Sequence, residues 1–349
     1  MTTLSAGASR ASGLDRRTRL LRALAREPVD RPPVICTGGS MSAVPAEVVA
    51  RSEFSLPAAH LDPIAMAGLA LAAARITGFE SVGVPLCTTV EAEVFGAEIN
   101  LGDEVTEARI VREPFPAVRD VPRIDLEERL RNGRAAVSIE AVRQLATISG
   151  DLPIIANLMG PVSIAASVVQ PAMLFRELRT EPDKALELIE HISEFLAAWA
   201  RDLIRAGADV IAIHEDTGTP ALVGPKVFER ITLPNLARLT REIRAAGALT
   251  LLHMCGKLGG AECLLSQLEC EGFIPDSSIS VRQLSKAQPH LAMVGNISTF
   301  LLHQGSPEQI SRLAARHVED GICAVSPACG MSSATPLVNI IALTHAVTH

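Results

Sequence analysis

The sequence predicts an α/β fold, a single (β/α)8 TIM barrel with an insertion after the second strand. Three observations support this prediction. Eight short apolar runs alternate with longer helical patterns, several runs are apolar at consecutive positions, and 349 residues suit one large barrel. Consecutive apolar residues are typical of strands buried on both faces of a parallel sheet. No tandem repeat or linker divides the sequence.

The predicted strands are short and amphipathic helices lie between them. The strands cover residues 33–36, 81–84, 153–157, 209–214, 249–254, 272–274, 292–296 and 322–326. The clearest helical pattern covers Pro182–Ala206, where apolar residues recur at helical spacing before Gly207, a suitable C-cap. A second helix begins at Ser306-Pro307-Glu308, which is favourable N-cap chemistry followed by proline in the first turn.

The interval from about 85 to 150 is too long for one connection and predicts the insertion. It carries the segments 91–98 and 108–112, which we interpret as a β-hairpin excursion, and a proline-rich stretch at 114–122. Residues 1–15 are small, polar and rich in Ala and Ser, so we expect a flexible tail. The barrel is then expected to occupy residues 16–349.

Composition excludes several classes of function. A formal net charge of −7 and a pI near 5.8 argue against nucleic-acid binding, which needs a basic face. The chain has one Trp and no Tyr, so stacking on bases or sugars is a poor expectation and a tyrosine hydroxyl cannot take part in catalysis. Global disorder is excluded because 48% of the residues are hydrophobic.

The cysteines and apolar stretches predict a cytoplasmic protein with no membrane association. Seven cysteines, an odd number without a C-x-x-C pair, do not resemble a secreted disulfide framework. The longest apolar stretch, at about 64–74, is shorter than the roughly 20 residues that span a bilayer. The N-terminus lacks the apolar run of a signal peptide.

One motif carries chemistry: His253-Met254-Cys255-Gly256 ends the fifth predicted strand. Alternate strand residues point the same way, so His253 and Cys255 can face one site. Cys329 follows the eighth predicted strand, and both segments would open at the C-terminal face of a barrel, where active sites lie. An imidazole and two thiols there predict a zinc site with three protein ligands. From spacing alone, an ordinary core role for the pair remains the more common explanation.

The sequence also resembles the uroporphyrinogen decarboxylase superfamily, and within it the methylcobamide:coenzyme M methyltransferases. The resemblance begins at about residue 15 and covers nearly all of the remaining chain. It rests on Arg19, Asp30-Arg31-Pro32, Thr89-Val90-Glu91-Ala92-Glu93, Gly96-Ala97, Gly160-Pro161, Ser163, His253-Met254-Cys255-Gly256, Val294-Gly295-Asn296 and Pro327-Ala328-Cys329-Gly330.

The resemblance implies that His253, Cys255 and Cys329 hold a Zn²⁺ ion. The bound metal would deprotonate an acceptor thiol such as coenzyme M, and the thiolate would take a methyl group from cobalt(III) of a methylcorrinoid. The sequence has no D-x-H-x-x-G stretch, the usual corrinoid-anchoring loop. We therefore expect a separate small corrinoid protein as partner, or a free methylcobamide, and no nucleic acid or membrane.

Departures from the decarboxylases argue against porphyrinogen decarboxylation. The arginines that those enzymes place after the first strand are missing, since no arginine occurs between residue 37 and Arg51. Their catalytic aspartate would fall in Pro85-Leu86-Cys87-Thr88, which contains none, and their active-site tyrosine cannot exist in this chain.

Other polar residues near strand ends are weaker candidates. We assign catalytic roles to Glu91 and Asp216, with Glu93 and Glu215 as respective alternatives, and ligand binding to Asn296 and Lys257. Asp276 is a further candidate near the metal. For each, an ordinary explanation competes: an ion-paired or solvated side chain for the glutamates, and loop capping for Asp276 and Asn296. Cys36, Cys87, Cys263, Cys270 and Cys323 are interpreted as structural, and His60, His290, His303, His317, His345 and His349 as surface or helix residues.

Two alternative functions stay open at this point. A homocysteine methyltransferase of the methionine synthase type also uses an H-x-C…C site, but adds a Glu soon afterwards. The corresponding stretch here, Asp276-Ser277-Ser278, has none. A non-catalytic corrinoid- or zinc-binding protein is the other alternative, and it predicts a metal whose fourth position is closed.

Overall fold

A computed structural model describes residues 13–38 and 44–349. Its centre is a six-stranded parallel sheet with the strand order β1-β4-β5-β6-β7-β8. The antiparallel pair β2–β3 stands apart from this sheet. In chain order the strands are β1 Val82–Val84, β2 Glu98–Asn100, β3 Arg109–Arg112, β4 Ile154–Met159, β5 Val210–Glu215, β6 Leu249–Met254, β7 Gly272–Pro275 and β8 Ala292–Met293.

Helices connect the parallel strands, as parallel pairing requires. They are α1 Arg16–Leu24, α2 Ala46–Arg51, α3 Pro63–Thr77, α4 Val90–Val94, α5 Leu126–Leu130, α6 Gly133–Ile148, α7 Pro161–Val168, α8 Pro171–Thr180, α9 Pro182–Ala206, α10 Pro220–Val223, α11 Pro225–Val227, α12 Leu233–Ala245, α13 Val281–Ala287, α14 Thr299–Gln304, α15 Pro307–Glu319 and α16 Leu337–Thr348. None in the described ranges is long and apolar enough to cross a membrane.

Of the two helices with the clearest sequence signals, α9 has the predicted bounds, and α15 begins at the predicted N-cap Ser306 and ends at Glu319. Helix α9 ends before Gly207, whose φ of 121° suits glycine, and its apolar face is buried. Helix α15 begins with a capping box, in which the Ser306 hydroxyl accepts from the Gln309 N–H and the Gln309 side chain accepts from the Ser306 N–H.

The sheet has fewer regular strands than the eight predicted. The second to sixth predicted strands correspond to β1 and β4–β7, and the seventh shortens to β8. The first and eighth predicted strands form only isolated parallel bridges, Val34 with Val325 and Val294 with Ala324. Prolines at 32, 33 and 327 lack the N–H that a continuous ladder needs, which explains the interruption.

The predicted insertion is present, with one correction. Strands β2 and β3 form the antiparallel hairpin, but most of the segment 91–98 belongs to helix α4 and the loop after it. Glutamate and alanine favour helix over strand, which is the local reason for the difference. Glu91 therefore lies in a helix that follows β1 and not in the hairpin.

A buried ion network ties the N-terminal segment to the start of β1. The Glu80 carboxylate forms salt bridges with Arg19 at 2.9 Å and with Arg31 at 2.7 Å. Arg19 also forms a salt bridge with Asp30 at 2.8 Å. Glu80 accepts the Val34 N–H as well, at 3.1 Å. The predicted tail extends to residue 15, but only 13–15 fall in the described range, and Asp15 there caps helix α1.

Candidate metal site and substrate cleft

Strand β6 positions the first two candidate ligands. His253 lies within this buried strand, and Cys255 follows immediately after its end. The Nδ1–H of His253 donates to the Ile274 carbonyl on β7 at 3.0 Å, which fixes the ring and directs Nε2 towards the Cys255 Sγ. The strand alternation anticipated in the sequence therefore places both side chains on one site.

Cys329 reaches the same point from a distant part of the chain. It follows the parallel bridge between Ile297 and Pro327. Its Sγ lies 3.2 Å from the Cys255 Sγ, which lies 3.3 Å from the His253 Nε2. All three donor atoms are within 4.8 Å of one another. The structure thus brings the three predicted ligands together.

The electrostatics of the cluster favour a shared negative charge on sulfur. A hydrogen bond from Cys255, supported by His253, lowers the pKa of Cys329 to about 4. The same hydrogen bond, together with burial, raises the pKa of Cys255. Burial opposes the charged form of His253, but the Cys329 thiolate and Asp216 prevail and raise its pKa. The three donor groups therefore interact with one another directly, and a bound cation would replace these contacts with release of protons.

The donor set fits a zinc ion. Ligands at roughly 2.0–2.3 Å from one ion lie within about 4.6 Å of each other, and both measured donor separations are shorter than this. Two sulfurs and one imidazole nitrogen favour Zn²⁺ over Mg²⁺ or Ca²⁺. Three protein ligands leave one position for an exchangeable group, which is typical of catalytic zinc.

Asp216 stands beside this cluster, whereas Glu215 does not face it. The Asp216 Oδ1 lies 3.7 Å from the His253 Nε2, is buried, and has no hydrogen-bond partner among the described residues. Burial raises the pKa of Asp216. Glu215 is fully buried and accepts from the N–H groups of Val162, Ser163 and Gly218. Glu215 thus holds the start of α7 against the loop after β5.

Asp276 and Asn296 support the loops around the site. The Asp276 carboxylate accepts the Gly256 N–H at 3.1 Å, next to Cys255. The Asn296 amide donates to the carbonyls of Asp276 and Ile279 and accepts from His317 at 3.2 Å. Its polar atoms are thus engaged by protein groups, and it lines a separate cavity rather than the one beside Cys329.

Glu91 and Glu93 have different surroundings. Glu91 is 1% exposed, and its Oε1 accepts the Met159 N–H at 2.7 Å, while Oε2 has no partner among the described residues. Burial raises the pKa of Glu91 to about 7. Glu93 is ion-paired with Arg134 at 2.6 Å, which is the ordinary explanation weighed for it above.

A cleft of about 250 Å³ opens beside Asp216 and Cys329. His60 and Cys87 also line it, although sequence reasoning had assigned them no functional position. Both are buried, and burial lowers the pKa of His60 to about 4. Arg134 donates to the Cys87 Sγ at 3.1 Å. His60 lies in a single 3-10 turn without any motif, so no sequence signal would have identified it.

The far wall of the cleft is the turn between β2 and β3, residues 101–108. Asp103, Glu104 and Glu107 of this turn line the cleft, and the Ser333 hydroxyl donates to the Val105 carbonyl. The predicted ligand-binding residue Lys257 is exposed near the end of β6 and does not line this cleft. Sequence analysis predicted the hairpin but not that its turn meets the metal cluster.

The chain matches the family model for uroporphyrinogen decarboxylase over residues 15–349. It is 32% identical over 335 residues to the methylcobamide:CoM methyltransferase MtaA of Methanosarcina barkeri, covering 94% of this chain and 96% of that protein. It is 30% identical over 324 residues to the methylcobamide:CoM methyltransferase MtbA of Methanosarcina acetivorans, covering 92% and 94% respectively.

A solved structure described as a methyltransferase from Methanosarcina mazei is similar with a TM-score of 0.87 at 29% identity. The match covers 95% of this chain and 98% of the other. Uroporphyrinogen decarboxylases are more distant, at 21% identity over 245 residues for that of Myxococcus xanthus. The chain therefore belongs to the uroporphyrinogen decarboxylase family and, within it, to the branch of the methylcobamide:CoM methyltransferases.

Proposed function

We propose that this protein is a zinc-dependent enzyme that transfers a methyl group from a methylated corrinoid to a thiol. The observation that carries this proposal is the convergence of His253, Cys255 and Cys329 beside an open cleft. The named activity of the relatives agrees with it, and coenzyme M, the acceptor in their names, is the first thiol to test.

His253, Cys255 and Cys329 would hold the ion. When bound there, zinc lowers the pKa of a thiol in its fourth position enough to keep that thiol as the nucleophilic thiolate. The Ile274 carbonyl keeps the His253 Nε2 directed at the ion. Asp276 holds the Gly256 N–H and thereby the position of Cys255. These contacts hold the ligand side chains in place, and the bound ion would then hold the acceptor sulfur.

We assign to Asp216 the proton that the acceptor thiol releases. Its Oδ1 has no hydrogen-bond partner among the described residues, and it lines the cleft that the thiol must enter. In the transfer itself, a sulfur–carbon bond forms while the cobalt–carbon bond breaks. Both electrons of the broken bond remain on cobalt, which passes from cobalt(III) to cobalt(I). We assign to Glu91, whose Oε2 is also unpartnered, a supporting role near the cleft.

The partner that we infer is a small corrinoid protein docked over the cleft. The acceptor fits inside a space of about 250 Å³, but a corrinoid macrocycle does not, so the macrocycle must approach from outside. We keep Lys257, exposed beside the site, as a candidate ligand-binding residue. A cytoplasmic location, suggested by an odd number of cysteines without a C-x-x-C pair, belongs to the same proposal.

We further infer that residues 16–349 form one closed barrel. Three contacts support this: the Val34–Val325 bridge, the hydrogen bond from the Glu80 N–H to the Val34 carbonyl at 2.8 Å, and the approach of Thr37 to Gly83. A Cβ at Gly83 would lie 1.7 Å from the Thr37 carbonyl oxygen, so only glycine allows this approach. Closure would bring the segments before and after the sheet onto one rim.

The test is demethylation of methylcobalamin, followed by absorbance, with coenzyme M, homocysteine and other thiols. Zinc-loaded wild-type protein is expected to consume methylcobalamin only when a thiol is present. Cys255→Ala and Cys329→Ala should lose stoichiometric zinc and turnover. Cys263→Ala is the matched control, because Cys263 is a free, exposed cysteine outside the cluster, and it should keep both.

Two outcomes would contradict the proposal. Full activity in either ligand variant would refute the ligand assignment. Stoichiometric zinc without methyl transfer to any thiol, even with the cognate corrinoid protein, would favour the non-catalytic binding protein.

A further inference from the structure

The charged side chains that line the cleft beside Cys329 all have the same sign. They are Asp216 near the metal cluster and Asp103, Glu104 and Glu107 on the β2–β3 turn. No lysine or arginine lines the cleft within the described ranges.

His60 is the titratable nitrogen base in this lining, and it does not supply a positive charge. The residue is 3% exposed, and its Nδ1 has no hydrogen-bond partner among the described residues. Burial, with a smaller contribution from Arg134, holds its pKa at about 4. A neutral imidazole whose Nδ1 has no partner among the described residues can form a hydrogen bond with a ligand in the cleft. It cannot neutralise the charge of an anion.

The nearby cations stand outside this lining: Lys257 and Arg109 do not line the cleft, and Arg134 has an acidic partner. Arg134 is buried behind Cys87 and pairs with Glu93 at 2.6 Å. Backbone hydrogen bonds lower the pKa of Asp103, and the charge of Arg109 on β3 makes a smaller contribution in the same direction. Arg109 does not line the cleft. In the described lining of the cleft, an entering molecule therefore meets carboxyl groups and no cationic side chain.

We propose that the natural acceptor thiol carries an ammonium group close to its sulfur, and not the sulfonate of coenzyme M. This inference rests on the proposed methyl transfer to a thiol. An anionic substituent two carbons from the sulfur would face like charges with no fixed countercharge, whereas an ammonium group would find acceptors on the turn. The acidic turn thus selects the acceptor by its charge.

Three thiols of equal length and different charge test this inference. Cysteamine carries an ammonium, 2-mercaptoethanol is neutral, and coenzyme M carries a sulfonate, each two carbons from the thiol. We expect kcat/KM for methylcobalamin demethylation at low ionic strength to be highest for cysteamine, and lower by about tenfold or more for coenzyme M. Added salt should narrow the gap, because it screens exposed charges.

Charge reversal on the turn separates the effect of the protein from the intrinsic reactivity of each thiol. In the double variant Glu104→Lys/Glu107→Lys, kcat/KM should rise for coenzyme M and fall for cysteamine, each by about tenfold, with little change for 2-mercaptoethanol. Comparing one thiol between two proteins cancels its own reactivity. Glu229→Lys/Glu319→Lys makes the same change in net charge at exposed positions outside the cleft and should leave the order unchanged.

The outcomes distinguish this inference from the function on which it rests. If no thiol accepts a methyl group, the proposed function fails. If coenzyme M is preferred by the wild type, or if the turn variant leaves the order of the three thiols unchanged, the function stands and the charge selection is wrong. Thermal unfolding of each variant identifies a loss that is due to misfolding.

Discussion

Asp216 is the single residue whose charge most directly affects the metal cluster. Its free carboxylate oxygen lies 3.7 Å from the imidazole of His253 and also faces the cleft. Under the proposed function, a carboxylate in this position would have two uses: it would stabilise positive charge on His253, and it would accept a proton from an entering thiol. Proton acceptance would distinguish Asp216 from His253, Cys255 and Cys329, which are proposed to bind the metal.

Asp216→Asn tests this division of roles. We expect zinc content to remain stoichiometric, because the three ligands are intact, while kcat/KM for the thiol falls by roughly 10²-fold, as for loss of a proton acceptor. Metal analysis and methylcobalamin demethylation provide the two measurements. Unchanged kcat/KM would remove Asp216 from the mechanism, and loss of zinc would make it a ligand.

Single residues were predictable from sequence where local geometry decides their position. Strand alternation was sufficient for His253 and Cys255, and placement after a strand suggested Cys329. His60 was not predictable, because its contacts with the cleft depend on elements far away in the chain. Asp216 could not be separated from Glu215 by sequence, since only the course of the loop after β5 decides which carboxylate turns inward.

At the scale of elements, helix α4 is attached to the end of β4 through a buried carboxyl group. Glu91 accepts the Met159 N–H at 2.7 Å, and burial raises the pKa of Glu91 to about 7. The folded protein therefore binds a proton at Glu91 that the unfolded chain releases between about pH 4.5 and 7. The contribution of Glu91 to the free energy of unfolding is fully present below pH 4.5 and is lost as the pH rises through 7.

Glu91→Gln should remove this pH dependence while keeping the contact with Met159. For the metal-free proteins, the free energy of unfolding of the variant minus that of the wild type should increase between pH 4.5 and 7, by as much as about 3 kcal/mol. Urea denaturation at several pH values measures the difference. Glu319→Gln, an exposed control, should follow the wild-type curve, and a Glu91→Gln difference that stays constant with pH would contradict the burial argument.

Elements with strong periodicity were predictable, and those fixed by tertiary contacts were not. Helices α9 and α15 and strand β6 follow the sequence pattern because burial and capping are encoded locally. The β2–β3 turn is different: the hydrogen bond between Ser333 and Val105 joins residues 228 positions apart. No local pattern reports such a contact, so the acidic wall of the cleft was not anticipated.

For the whole molecule, the ion network around Glu80 joins the N-terminal segment to the sheet. Arg19 and Glu80 are both almost fully buried and need compensating charges, which Glu80 receives from Arg19 and Arg31, and Arg19 from Glu80 and Asp30. The network lies before β1, whereas the metal cluster lies after the ends of the strands. The ion network around Glu80 and the candidate metal site thus lie at opposite ends of the sheet.

Glu80→Gln should destabilise the protein by about 3 kcal/mol, because it leaves buried Arg19 without one of its countercharges. Glu27→Gln is the control, since Glu27 is exposed at 3.7 Å from Arg22, and it should change stability by less than about 0.5 kcal/mol. Urea unfolding measures both. Methyl transfer well below the unfolding midpoint should be unaffected in either variant, and a stability equal to wild type would show that the network is redundant.

The small volume of the cleft constrains the order of events in each catalytic cycle. A macrocycle docked across the mouth would seal about 250 Å³ of space behind it. The smaller substrate must then enter before the larger one and cannot be replaced until the larger one departs. Under the proposed function, such a cycle would pass through a ternary complex in a compulsory order, with the thiol bound before the corrinoid.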